Sequence, residues 1–581
     1  MTIGRLLLGL VAASALCACA NAIAAGRGAD VPWETYEAEN ANTNGTVLGP
    51  DYTGHTPARE ASGRRCVRLA ETGQFVEFTA HSEAQGLVVR YCIPDSADGQ
   101  GIGTTLSLYI NSQFRGKLPM TSKYCYLYGP YPYTKNPADG TPRHFWDELR
   151  LMPGTIHDGD VIRLQKDRGD TSPDYLIDFI DLEQVPPPLQ RPADSLSVAD
   201  FGTKADARTD DRAAFQVAIA AARRQRKTLW VPPGRYLVGG PLYVHDVAMR
   251  GAGMWYSTLV GAENYTPDHR VAIYGDGSNV TLSDFAMVGN LKYRNDREPN
   301  DGLGESFGTG SVIRNIWVEH TKTGAWLVNS DGLLVEGCRF RDTIADGINL
   351  CAGMRDTTVR DCTARGTGDD CFAAWPAIYR PATYVPGHNR FVHCTAQLPF
   401  LAQGFSIYGG DGNSVEDCQA IDISYGAGIF ASTTFPTEFG FRGMTTYRNI
   451  LLTRTGDEDG AIGLVANLLG LSGLRFLDVD ILDSPRDAVK FTSMHDHGVS
   501  DTTFDRVHVV NAGTSGQGGA IAGAPGAVGA VAMSHFTIVG GKTAGQKADD
   551  SAIRQSTGTG NATVERPADV SAARRASVAG Q

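Results

Sequence analysis

Three aspartates carry the chemistry this chain could do. Asp346 sits in Asp346-Gly347-Ile348-Asn349, and the pair Asp369-Asp370 in Gly366-Thr367-Gly368-Asp369-Asp370-Cys371. Asp346 follows Cys338 by eight residues and Asp370 follows Cys362 by eight, so both occupy one phase of a repeat. On stacked strands about 4.7–4.9 Å apart, such residues lie one above the other. Neighbours in a regular strand face opposite sides, so Asp369 can join Asp370 in one cleft only where the chain bends, and Gly366 and Gly368 permit that bend. No Lys or Arg stands within three residues of the trio in sequence, and crowded carboxylates push at least one pKa upward. A proton-bearing carboxyl beside ionised ones suits acid-catalysed glycosidic cleavage. The residues alone leave three readings open: catalysis, a Ca²⁺ site, or aspartates that only bond turn N–H groups.

The elements that would position the trio are strands. The phrases Val335-Glu336-Gly337-Cys338, Val359-Arg360-Asp361-Cys362, Phe391-Val392-His393-Cys394 and Val415-Glu416-Asp417-Cys418 place cysteines at steps of 24, 32 and 24 residues. A period in the low twenties is one coil of a parallel β-helix, and the longer step predicts an eight-residue loop insertion. The cysteines then form an internal ladder of small apolar side chains rather than disulfides or a metal site. A helix over 213–226, capped by Thr209 or Asp210, opens this unit and is expected to cover the end of the first coil. Upstream, short alternating segments such as Phe75-Val76-Glu77-Phe78 predict a β-sandwich, and Pro186-Pro187-Pro188 opens a stiff linker. The expected organisation is a sandwich over 30–186, a linker over 187–194, a β-helix over 195–545 and a tail without order over 546–581.

Several phrases together resemble glycoside hydrolase family 87, the α-1,3-glucanases (mutanases) and nigeran-cleaving mycodextranases: Gly308-Thr309-Gly310-Ser311, Trp317-Val318-Glu319-His320-Thr321-Lys322, the three aspartate motifs, Gly404-Phe405-Ser406-Ile407-Tyr408-Gly409-Gly410 and Tyr425-Gly426-Ala427-Gly428-Ile429. The resemblance implies an all-β chain, a right-handed, pectate-lyase-like parallel β-helix preceded by a galactose-binding-like β-sandwich. It implies an inverting endo-α-1,3-glucanase whose catalytic residues are Asp346, Asp369 and Asp370. By analogy with polygalacturonases, Asp369 is the general acid, and Asp346 and Asp370 hold the attacking water. Acid and base should then stand about 6.5–9.5 Å apart. Trp375 is a candidate platform for a glucose ring, and Glu319, His320, Lys322 and Tyr408 are candidate cleft residues. The front sandwich resembles carbohydrate-binding modules of families 6 and 35, which implies a structural Ca²⁺ held by Glu37, Glu39 and Asp178 and no catalytic metal.

The formal net charge of -12 and the lack of a basic stripe exclude a nucleic-acid binder and leave a neutral polysaccharide as the expected partner. Residues 1–25 read as a signal peptide, which predicts a secreted or periplasmic monomer with no transmembrane segment. Leu16-Cys17-Ala18-Cys19 resembles a lipobox, which offers a lipid anchor at Cys19 as a variant. The rival readings are a mycodextranase acting on nigeran and a non-catalytic, Ca²⁺-dependent glycan-binding β-helix. A polygalacturonase would need basic residues for uronate carboxylates, and its Arg-x-Lys phrase is absent from the repeats.

Overall fold

The computed structural model describes residues 26–541, apart from 264–265, 438 and 525–526, together with the backbone of 552–557 and 563–564. The signal-peptide and Cys19 readings fall outside the described residues.

The front unit is two antiparallel sheets. One joins Asp147–Leu151, Gly86–Cys92, Tyr175–Glu183, Cys66–Leu69 and Thr46–Leu48, with Trp33–Glu37 also paired to Tyr175–Glu183. The other joins Asn42–Thr43, Phe75–Thr79, Val161–Gln165, Gly103–Ile110 and Gln113–Thr121. Alternate residues such as Leu87, Val89, Ile177, Phe78 and Ile162 fill the space between them. Gly86–Cys92 and Tyr175–Glu183 are buried along their whole length. Their other face lies on the second unit, where Val88 packs on Ala286 and Trp317 and charge does the rest: Arg339 grips Glu183 at 2.7 and 2.8 Å, and Arg365 grips Glu148 at 2.6 and 2.8 Å and Asp181 at 2.7 Å.

The second unit is parallel throughout. A long sheet of 22 strands and a shorter one of 11 wrap a single apolar core, as stacked coils do. Val335, Val359, Phe391 and Val415 follow one another in register, and the cysteines behind them are fully buried thiols without a disulfide. The Cys338 and Cys394 N–H groups each point at the sulfur one coil on, at 3.3 Å. The long step comes from the connection between Phe372–Ala374 and Arg390–Val392, which carries the extra loop.

The helix, Arg212–Gln225, lays Phe215, Ala218, Ile219 and Ala222 on the first coils. Its cap position is Asp211; Thr209 and Asp210 lie in the preceding strand, Asp206–Asp210, and the Asp211 carboxylate accepts instead from the Lys204 and Ala205 N–H groups. The linker packs rather than dangles, since Leu189 N–H donates to Ala252 O and Tyr256 OH to Pro186 O. Ala552–Thr557 and Thr563–Val564 pair in parallel with Val528–Val539, because the last full coil leaves a row of unpaired backbone groups that a following segment can satisfy.

Candidate active site

The trio sits where the chain turns from the long sheet onto the short one. Ile348–Leu350 and Phe372–Ala374 pair Ile348 to Phe372, which stacks Asp346 under Asp370, each two residues before its strand. Asp369 and Asp370 lie in a turn, not in a strand, which frees both to face the same side. Gly366 holds φ +70°, and a Cβ on Gly368 would strike Ile344 O at 2.0 Å, so both glycines are required by the bend. One carboxylate oxygen from each aspartate lies within 4.8 Å of the other two. That is closer than the 6.5–9.5 Å expected of an acid and base with water between them.

The three environments differ. Asp370 is buried and both its oxygens are taken, Oδ1 by Gln403 N–H at 3.1 Å and Oδ2 by Tyr408 OH at 2.6 Å. Burial, then the neighbouring Asp369, pushes its carboxyl up to about 7. Asp346 is buried too and accepts from Asn349 Nδ2 at 3.3 Å. Burial, then Asp369 and Asp370, holds it well above the usual carboxylate range. Asp369 is the accessible member, with 27% of its side chain exposed. Its Oδ2 receives Arg294 Nη2, while Arg294 Nη1 donates to Gly368 O at 2.9 Å and Nε to Asp296 Oδ1 at 3.1 Å.

Arg294 comes from the connection between Thr281–Val288 and Gly302–Ser306, 75 residues before Asp369. Its one sequence cue is the polar phrase Lys292-Tyr293-Arg294-Asn295-Asp296-Arg297. Gln403 and the sandwich residue Tyr131, whose hydroxyl bonds Asp296 and whose ring lies over Arg294, carried no local signal. The sandwich thus reaches the cleft rim.

The other predicted residues divide. Trp375 is half-buried in an aromatic wall with Trp326, Tyr379 and Phe435, ring centroids 6.3, 6.1 and 5.5 Å away. Tyr408 meets the trio, but as a buried donor to Asp370. Lys322 supports the loop that carries Arg294, its Nζ donating to Glu298 O at 2.8 Å. Glu319 and His320 face the sandwich instead. Glu319 pairs with Arg150 at 3.4 Å, and His320 stacks on Tyr124 and bonds Asp147 at 2.7 Å. His320 adopts φ +54°, a turn conformation that breaks the strand alternation.

The expected calcium ligands do not converge as a set of three. Among the described residues, such groups within 4.8 Å are the catalytic-candidate trio and Asp147, His320 and Asp342. Asp178 is paired with Arg90 and accepts from Ser62 N–H. Glu37 Oε2 and Glu39 Oε2 are buried without a partner, however, and burial followed by Asp178 pushes Glu37 up to about 9. Two orphaned oxygens fit a cation; Asp178 fits its arginine.

With that geometry in place, the chain can be compared with known proteins. The family model described as α-1,3-glucanase catalytic domain D1 matches residues 30–185, and that of catalytic domain D2 matches 210–460. The crystal structure of the Agl-KA catalytic domain is 28% identical with a TM-score of 0.84, covering 93% of this chain and 99% of that one. The catalytic unit of a GH87 α-1,3-glucanase from Streptomyces thermodiastaticus strain HF3-3 is 32% identical with a TM-score of 0.77 at the same coverage. A GH87 α-1,3-glucanase catalytic domain in complex with nigerose is 25% identical with a TM-score of 0.76. Alginate lyase 7 of Azotobacter vinelandii is 26% identical over 197 residues, which are 31% of this chain and only 20% of that protein's length.

Proposed function

The chain belongs to the α-1,3-glucanase catalytic-domain family, GH87, and on that premise we propose that it hydrolyses internal α-1,3-glucosidic bonds of glucan with inversion at the anomeric carbon. The observation that carries this reading is the trio of aspartates at the edge of the short sheet, beside an aromatic wall. Asp369, the exposed carboxyl, donates the proton to the glycosidic oxygen. Arg294 Nη2, which donates to Asp369 Oδ2, holds that carboxyl in place at the cleft. Asp346 and Asp370 lie deeper, and both Asp370 oxygens are engaged. A water seated on this pair therefore reaches the anomeric carbon more readily than a carboxylate oxygen does, and the pair takes the water's proton.

The test is reducing-sugar release from insoluble α-1,3-glucan, with nigeran and polygalacturonate in parallel and EDTA as a control, followed by proton NMR of the first product. Release from α-1,3-glucan that survives EDTA, with the β-anomer appearing first, supports the reading. Release confined to nigeran makes the protein a mycodextranase. Glucan binding that EDTA abolishes, without release, favours the glycan-binding protein.

Three finer points belong to the same reading. The resemblance of the sandwich to carbohydrate-binding modules, together with Tyr131 at the rim, supports a role in holding glycan. Calcium on Glu37 and Glu39 would relieve their orphaned oxygens, and EDTA should then lower the melting temperature without stopping catalysis. Residues 1–25 support export, with Cys19 as the anchor variant, which cell fractionation would test. Among the described residues no helix is long and apolar enough to cross a membrane.

A further inference from the structure

The short sheet carries a second set of side chains that the chemistry above does not use. Along the register from Ala373, beside the trio, successive strands present Asn349, Trp326, Gly304, Tyr274 and Tyr243 at one position. The neighbouring positions, Phe372, Ile348, Ala325, Leu303, Ile273 and Leu242, enter the core, so this file faces away from it, with Trp326, Tyr274 and Tyr243 reaching solvent and Ala373, Asn349 and Gly304 buried between them. At about 4.8 Å per strand, Tyr243 stands roughly 24 Å along the coil axis from Ala373.

Three features make the far end of the file a surface rather than packing. Tyr243 is 50% exposed, and its ring meets Tyr274 edge-on at 5.9 Å. Tyr274 is fixed by its hydroxyl, which donates to Asn300 O, and its ring leans over Gly304, where a Cβ would come within 3.1 Å. Trp326 donates its indole N–H to Tyr379 OH at 2.7 Å, which sets its ring and links the file to Trp375. Glu305, Ser306 and Asp276 flank the two tyrosines in a shallow depression. Aromatic faces beside carboxylates and a hydroxyl are what a pyranose ring requires, its C–H face stacking and its rim hydroxyls donating.

We propose that Tyr243 and Tyr274 form a remote subsite that holds the same glucan chain several sugars away from the bond being cut. The occupant is set by continuity: one outward position leads from the trio through Trp326 to Tyr243, so a chain lying along the coil axis meets both ends. The proposal rests on the α-1,3-glucanase reading. Binding so far from the scissile bond favours long substrates, because a short oligosaccharide spanning the trio does not reach it.

The test compares the parent with a Tyr243→Ala/Tyr274→Ala double variant and with Tyr243→Trp, each with and without Asp369→Asn. Retention on insoluble α-1,3-glucan is measured in the Asp369→Asn background; hydrolysis of polymer and of an α-1,3-linked tetrasaccharide is measured in the active one. Retention and the ratio of polymer to tetrasaccharide hydrolysis should each fall roughly tenfold in the double variant, from two lost stacking contacts, while Tyr243→Trp keeps both. An unchanged ratio overturns the proposal, as does equal loss on both substrates or failure of the Asp369→Asn parent to bind the polymer. A parent that cleaves no α-1,3-glucan is a separate result, which removes the activity reading itself.

Discussion

Two buried layers of charge lie on one coil, Arg365 of the first only four residues before Asp369 of the second, and they solve the same problem in opposite ways. Between sandwich and coil, Glu148 is buried, which works to raise its pKa, yet Arg365, Arg341 and Arg90 outweigh the burial and hold it below the ordinary value. In the cleft, Asp346 is as deeply buried, its nearest charges are two more carboxylates, and Arg294 alone opposes them. The first arrangement keeps a carboxylate ionised and immobile, which is useful for joining two units. The second holds Asp346 well above the usual carboxylate range beside the accessible Asp369, which is useful for chemistry. Burial is common to both; the ratio of arginines to carboxylates decides which results.

The largest break in this contrast is Asp369→Asn. Losing the proton donor should cost on the order of 10³-fold or more in reducing-sugar release while glucan retention persists, and retained activity would remove Asp369 from the acid role. On the interface side, Arg365→Met leaves Glu148 and Asp181 without the guanidinium. Thermal or urea unfolding should show a loss of about 3–5 kcal/mol, whereas the same substitution at a solvated pair would cost little.

A third test uses pH. Asp370, raised to about 7, keeps a proton in the folded state that the unfolded chain gives up near the ordinary carboxylate value of about 4. Stability from this group is therefore lost as pH rises from about 4 through 7. The melting temperature of Asp370→Asn relative to the parent should climb across that window, by the equivalent of roughly 2–4 kcal/mol at pH 8, and a flat difference would contradict the shift. The smallest effect belongs to Arg294→Ala. Without the guanidinium that donates to Asp369 Oδ2 the carboxyl loses its fixed orientation, so kcat should fall about tenfold with KM little changed. An unchanged kcat would make Arg294 a support for the loop only.

The coil was legible because its signal is local and repeated. Four cysteines in phase fix both the period and the place of the inserted loop, and the same phase aligns Asp346 with Asp370. What escaped the sequence is what depends on chain segments meeting from afar. Arg294 neutralises Asp369 across 75 residues, and Glu148 meets Arg365 across 217. Nothing in either local phrase names its partner. Glu319 and His320 face the sandwich for a different reason: the strand Val312–Glu319 ends at a left-handed residue that no local phrase announces. Arg90 likewise meets Asp178 from a strand that sequence order does not put beside it.

The cysteine ladder has one more consequence. Cys338, Cys362, Cys394 and Cys418 are reduced and sealed inside consecutive coils, so a thiol reagent reaches each of them only when its own coil opens. Their rates of modification form a built-in clock of local breathing. Read one sulfur at a time by mass spectrometry, that clock would show whether the coils beneath the aspartates open together or peel away in sequence.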